Sequence, residues 1–301
     1  MGMAKVIVIG SIGLDKIKTP HGEVDESLGG SATYASYASS FFAKTGMVSI
    51  VGEDFPEEHH NLLINRGICL KGLVKKGKTF RWNGFYEGDM NEAKTLNTEL
   101  NALSEFEADL PEEYKDADFV FLGNIDPELQ LKVIDQLRKP KVIAMDTMNF
   151  WIESKKEKLI EAIKKVHVLV INEGEARQLF NVSNLIKAGK KALELGVKAV
   201  IIKKGEHGAL LFTKDSHFNA PGYPLEHVKD PTGCGDSFGG SLIGYIAKAG
   251  KLNDKVLRKA IIYATSIASH NAEDFSLERM KNISIKDIHK RVKEIKQIRK
   301  F

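Results

Sequence analysis

The chain has 301 residues, 43% of them hydrophobic and 28% charged, with a formal net charge of +4. That length and composition suit one large globular domain, or a large one carrying a small one. The mild charge gives no reason to expect nucleic acid, and no apolar run reaches the length that crosses a membrane. The only cysteines, Cys69 and Cys234, lack metal spacing, which fits reduced thiols in a cytoplasm.

The start, residues 1–10, has no signal-like apolar core and reads as a first strand centred on Val6–Ile9. Gly2 does not open a myristoylation pattern, because Val6 stands where Ser or Thr is needed. Gly10-Ser11-Ile12-Gly13 follows the strand and lacks the dinucleotide fingerprint, which argues against a nicotinamide-linked dehydrogenase. Asp15 comes next, and an acid at a strand end can accept hydrogen bonds from two hydroxyls. Gly29 and Gly30 leave bare backbone that a ligand can approach, just before a helix over Ser31–Lys44. Thr33 and Tyr34, on its first turn, could touch that ligand or pack the helix.

Val48–Val51 reads as a strand, and then the pattern changes. Lys71–Leu103 is rich in Gly, Lys and alternating aromatics, among them Phe80 and Trp82. Together with Asp15–Leu28 it suggests a small antiparallel sheet projecting from the main body, where Trp82 could stack on a flat ligand. Beyond it, strands at Phe119–Leu122, Val142–Met145, Val168–Ile171, Ala199–Ile202 and Leu210–Phe212 alternate with helices at Glu128–Arg138, Lys155–Lys165 and Asn184–Leu195. Near-continuous apolar strands separated by helices predict a mostly parallel sheet covered on both faces. Functional loops then gather at the carboxyl ends of the strands. A helix is expected over Lys259–Ser269, and the Lys-rich stretch 286–300 reads as a solvated helix face.

The most informative run is Asp230-Pro231-Thr232-Gly233-Cys234-Gly235-Asp236, followed by the apolar helix Leu242–Ala247. Two glycines allow a sharp turn, and the first N–H groups of the helix have no partner within it. Such a turn holds an anion. Asp236 would repel a resting phosphate, but it makes sense as a base for a hydroxyl that attacks one. Phosphoryl transfer is the chemistry this run suggests. Cys234 reads as a small filler whose backbone matters more than its thiol.

The run resembles the signature of the ribokinase-like (PfkB) family of carbohydrate and nucleoside kinases, with Pro231 and Cys234 where Thr and Ala are common. The Gly29-Gly30 turn, Asn172-x-x-Glu175 and the loop Lys203–Gly208 resemble further family elements, so the likeness spans nearly the whole chain. It implies a three-layer α/β/α fold over residues 1–301, with a β lid inserted at about 14–29 and 70–104. It implies ATP and Mg2+, with K+ bound near Asp230 and Thr232 in some relatives. Asp236 would be the base, and Gly233, Cys234 and Gly235 the anion hole. Substrate would lie against Asp15, Gly29, Gly30, Thr33, Tyr34, Trp82 and Asn149. The nucleotide side would use Asn172, Lys204, Gly205, Gly208, Thr232, His270 and Asn271, with Glu175 holding Mg2+ through water. The lid would also join two subunits. A small sugar is the first expectation for the acceptor, a nucleoside the second and an inositol-like polyol the third; Tyr34 replaces an Asn common in sugar-specific relatives. A silent sensor on the same fold is the non-enzymatic alternative.

Overall fold

The computed structural model describes residues 4–300, so residues 1–3 of the first-strand expectation lie outside it. The chain begins β1 (Val6–Ile9), β2 (Gly13–Thr19), β3 (Gly22–Gly29), α1 (Ser31–Ser39), β4 (Thr45–Val51), α2 (Glu57–Asn65), β5 (Cys69–Lys75), β6 (Phe80–Tyr86) and β7 (Ala93–Glu99). It continues β8 (Phe119–Leu122), α3 (Pro127–Gln136), β9 (Val142–Met145), α4 (Asn149–Ser154), α5 (Lys156–Lys165), β10 (Val168–Asn172), α6 (Glu173–Phe180) and α7 (Leu185–Glu194). It ends β11 (Ala199–Lys203), β12 (Ala209–Thr213), β13 (His217–Ala220), α8 (Cys234–Ala249), α9 (Asp254–Asn271), α10 (Glu278–Lys281) and α11 (Ile285–Ile298).

Nine strands form the main sheet in the order β13-β12-β11-β10-β9-β8-β1-β4-β5. All neighbours are parallel except at β12 and β13. Alternation along a strand feeds two cores. Val6 and Val8 of β1 face α1, α8 and α9, while Ile7 and Ile9 face the layer of α3 to α7. This is the expected three-layer arrangement. Among the described residues no helix is long and apolar enough to cross a membrane.

The second sheet, in the order β3-β2-β6-β7, is the lid. It is mixed rather than antiparallel, because β2 and β6 run parallel. Its second piece starts at β6, since β5 joins the main sheet beside β4. The lid strands span residues 13–29 and 80–99, and β5, which the insertion expected at about 70–104 includes, lies in the main sheet. The Lys- and Gly-rich sequence of β5 belongs to a sheet edge, where one side of the strand is wet. β7 stops at Glu99 because Asn101 takes a positive φ of 44° and turns the chain. α1 ends at Ser39, short of the expected Lys44, so that the chain can turn back into β4.

α8 starts earlier than its apolar run suggests, inside the signature itself. Glycines let it press on its neighbours. A Cβ on Gly240 would lie 2.0 Å from the Ala35 carbonyl oxygen of α1, and one on Gly239 would lie 2.2 Å from the Phe121 ring of β8. Backbone cannot yield as a side chain can. We expect Gly240→Ala to part α1 from α8 and to cost about 1–3 kcal/mol of stability. The urea unfolding midpoint, compared at unchanged slope, measures it.

Candidate active site

The loop between β13 and α8 ends at Gly233, so Cys234 and Gly235 open the helix. Gly233 takes a left-handed conformation, with φ of 73°, and a Cβ there would lie 2.3 Å from the Tyr34 ring. Both backbone and packing therefore require glycine. The Cys234 N–H donates to the Pro231 carbonyl at 3.2 Å. That amide closes the turn, which leaves the N–H groups of Gly233 and Gly235 as the free members of the expected anion hole. Burial pushes the Cys234 thiol up to about 12, so it stays a neutral filler.

Asp236 lies on the first turn of α8. Burial, reinforced by the charge of Asp146 and opposed by Lys203, pushes its carboxyl up to about 7. The Lys203 ammonium sits 2.6 Å from Asp146 Oδ2, with side chains only 16% and 4% exposed. Burial works against the Lys203 charge, but Asp146, Glu175 and Asp236 together hold the ammonium above its ordinary value. Lys203 was not among the residues singled out from sequence. Lys204 was, yet it is half-exposed and bonds through its backbone N–H to the Gly208 carbonyl at 2.7 Å.

Asn172 caps α6, and Glu175 answers it. The Asn172 backbone N–H donates to Glu175 Oε2 at 2.7 Å, its Nδ2 donates to Oε1 at 2.6 Å, and the Glu175 N–H donates to Asn172 Oδ1 at 2.8 Å. This is a capping box at the carboxyl end of β10. Burial pushes Glu175 up to about 7 against the pull of Lys203. Among the described residues no three carboxylate, His or Cys side chains are arranged to hold an ion directly.

On the lid, Asp15 of β2 stands opposite Ser27 of β3 and Trp82 of β6. The three side chains therefore leave the same face. Asp15 is 4% exposed, and its Oδ1 is buried without a partner. Burial, then the charges of Asp230 and Asp236, push its carboxyl up to about 8. A Cβ on Gly29 would lie 1.8 Å from Asp15 Oδ2, so bare backbone there makes room for the carboxylate. Gly30, with φ of 95°, lies against the backbone of Ser11 and Ile12. The Thr33 hydroxyl donates to the Gly29 carbonyl at 2.7 Å and shapes this turn. Tyr34 is buried beneath Gly233, its hydroxyl unpartnered and neighboured by Asp230, Asp15 and Tyr86. The two glycine signatures thus meet through one ring.

Trp82 joins the apolar lid cluster of Ile17, Tyr86, Met90 and Phe275, and its Nε1 donates to Thr95 at 3.1 Å. Tyr86, another of the lid aromatics, accepts a hydrogen bond from the Thr232 hydroxyl at 3.1 Å and ties lid to turn. At the lid tip, Asn91 Oδ1 comes within 3.0 Å of where a Cβ on Gly205 would stand.

Several expected residues have other tasks. Asn149 is exposed at the start of α4 and stays apart; Asp146, three residues earlier, is the one that reaches the cluster. The loops instead meet through Asn124, whose Oδ1 accepts from Trp151 Nε1 at 2.9 Å. Asp230 accepts from the N–H groups of Thr232 at 2.9 Å and Ser276 at 3.4 Å, which braces the turn. Asn271 lies behind it, donating to the Thr232 carbonyl at 2.8 Å and accepting from the Ser237 hydroxyl at 3.2 Å. His270 is buried near Glu273 and Arg291, and burial pushes it down to about 4, so it is neutral. Gly208 packs its Cα on the backbone from Ala220 to Gly222.

Residues 3–281 match the pfkB family of carbohydrate kinases. The chain is 32% identical to a cytidine kinase of Thermococcus kodakarensis over 81% of this chain and 89% of that protein. The crystal structure of a nucleoside kinase from Methanocaldococcus jannaschii, an archaeal member of the ribokinase family, superposes with a TM-score of 0.79. It is 21% identical, covering 98% of this chain and 100% of the other. A candidate ribokinase II from E. coli, solved with ATP and Mg2+, superposes with a TM-score of 0.80 at 20% identity, over 97% of this chain and 100% of that one. The chain belongs to the pfkB carbohydrate kinase family and is an ATP-dependent phosphotransferase that acts on an alcohol group of a sugar or nucleoside.

Proposed function

We propose that the acceptor is a nucleoside, phosphorylated on the primary hydroxyl of its ribose. The observation that carries this reading is the unpartnered, buried Oδ1 of Asp15, set beside Trp82 on one face of the lid. A carboxylate can take two ribose hydroxyls, and an aromatic face next to it suits a base. Tyr34 fills the place where sugar-specific relatives carry an amide, which is why the small sugar first expected from sequence gives way. The likeness to a cytidine kinase over most of both chains supports the same choice.

In the proposed reaction Asp236 takes the proton of the attacking hydroxyl. The hydroxyl oxygen forms a bond to the γ-phosphorus as the bond from that phosphorus to the ADP oxygen breaks, and ADP leaves with that electron pair. The N–H groups of Gly233 and Gly235 would face the charge that gathers on the transferred group. The residues fit Mg2+ held mainly by nucleotide oxygens and water, since Glu175 and Asn172 are engaged with each other and no direct ligand cluster exists among the described residues. When bound, the ion would neutralise phosphate charge. β7, exposed at every residue, offers an open lid edge for pairing with a second copy.

A screen of cytidine, other nucleosides, ribose, fructose and inositol, read by ADP release, tests the acceptor. A nucleoside should give the highest kcat/KM; preference for a free sugar or polyol would overturn the reading. Asp15→Ala should raise the acceptor KM about 10- to 100-fold, the loss of two hydrogen bonds in a buried site, with little change in KM for ATP. Asp236→Asn should keep ADP binding and lose about 100- to 10,000-fold in turnover. Because burial sets the Asp236 carboxyl near about 7, the basic form fills in as pH rises. We expect kcat/KM to climb through neutrality and fall about tenfold per unit below it.

A further inference from the structure

We propose that Lys203 supplies the cation that meets the transferred phosphoryl group, with Asp146 as its partner when that group is absent. The inference rests on phosphoryl transfer at Asp236 and is independent of which alcohol accepts it.

Lys203 is the last residue of β11 and stands beside Asn172, the last of β10, at the carboxyl end of the sheet. From there its side chain reaches Asp146, 2.6 Å away, and the first turn of α8. Gly235 shows how close that approach is. A Cβ at this position would lie 3.0 Å from Lys203 Nζ and 3.9 Å from its Cε, and would meet nothing else within 4 Å. Unlike Gly233, Gly235 has no positive φ. Its backbone would accept other residues, and what the missing Cβ leaves at this position is space occupied by the ammonium.

Charge makes the same point. Asp146, Glu175 and Asp236 all act on Lys203, three carboxylates around one ammonium. Left so, the place where a phosphate must arrive is dominated by negative charge, which would oppose it. An ion pair kept out of water is a poor source of stability, because desolvating the charges offsets their attraction. A second purpose accounts for it better. The ammonium has three donors; one can stay on Asp146 while another turns to a phosphoryl oxygen. No arginine follows Asp146 to do this, as Phe150 and Trp151 stand there. Lys204 lies beyond the end of β11, half-exposed, with its backbone N–H on the Gly208 carbonyl.

The test uses Lys203→Met, and Lys203→Met combined with Asp146→Asn so that the carboxylate paired directly with the ammonium is not left buried and unpaired. ADP affinity, ADP affinity with aluminium fluoride and Mg2+, and kcat on whichever acceptor is turned over are measured for each. We expect the folded double variant to bind ADP within about threefold of the parent and to lose about 100- to 1,000-fold in kcat. The tightening that aluminium fluoride gives to ADP should vanish, which a purely structural lysine would not cause. A kcat within about threefold of the parent, undiminished tightening by the fluoride, or loss of ADP binding itself would each overturn the proposal. A wrong choice of acceptor would alter which alcohol is used and leave the fluoride result unchanged, so the two failures can be told apart.

Discussion

Three carboxylates share one ammonium beside the glycine turn that opens α8, and the proposed chemistry of the site follows from that imbalance. Asp146, Glu175 and Asp236 are each raised by burial, while Lys203 is the cation that opposes the rise. Without the lysine the three charges would repel one another and any phosphate. With it, Asp236 is poised near neutrality, where a base can both accept a proton and release it. Burial supplies the larger part of that shift, so the closeness of the lid and helices around the cleft is itself part of the chemistry.

The backbone that frames this charge cluster is braced from three sides. Tyr34 lies beneath Gly233, Asp230 accepts the Thr232 amide, and Asn271 holds the Thr232 carbonyl. The contacts from Tyr34 and Asn271 come from distant parts of the chain, so the turn keeps its shape only in the folded protein. The lid adds a fourth contact, from Tyr86 to the Thr232 hydroxyl. Lid and turn are therefore joined by one hydrogen bond. Such preorganisation is what phosphoryl transfer asks of a protein.

The layered fold was legible because parallel strands buried on both faces leave unbroken apolar runs, and β1, β8, β9, β10 and β11 all do so. The turn was legible because Gly233, Gly235 and Asp236 lie together in sequence. What stayed hidden depended on three-dimensional pairing. Counting by twos from Ala199 and Ile201 puts Lys203 on the face covered by α8, but nothing in the sequence says which face α8 covers. Lys204, its neighbour, looked equally suitable. β5 read as lid because an edge strand mixes polar and apolar residues, and Asn149 was expected against substrate because spacing alone cannot tell a strand end from a helix start. Asn271 was placed against nucleotide, and only the packing of α9 behind the turn reveals its hold on Thr232.

The central claim is that enclosure beside Asp146 and Lys203 brings Asp236 to near neutrality in the free enzyme. The most direct measurement is an infrared pH titration of the carboxyl band of Asp236, isolated as the difference between the parent protein and Asp236→Asn. The account predicts a midpoint at about 7. A midpoint near the ordinary aspartate value of about 4 would contradict it.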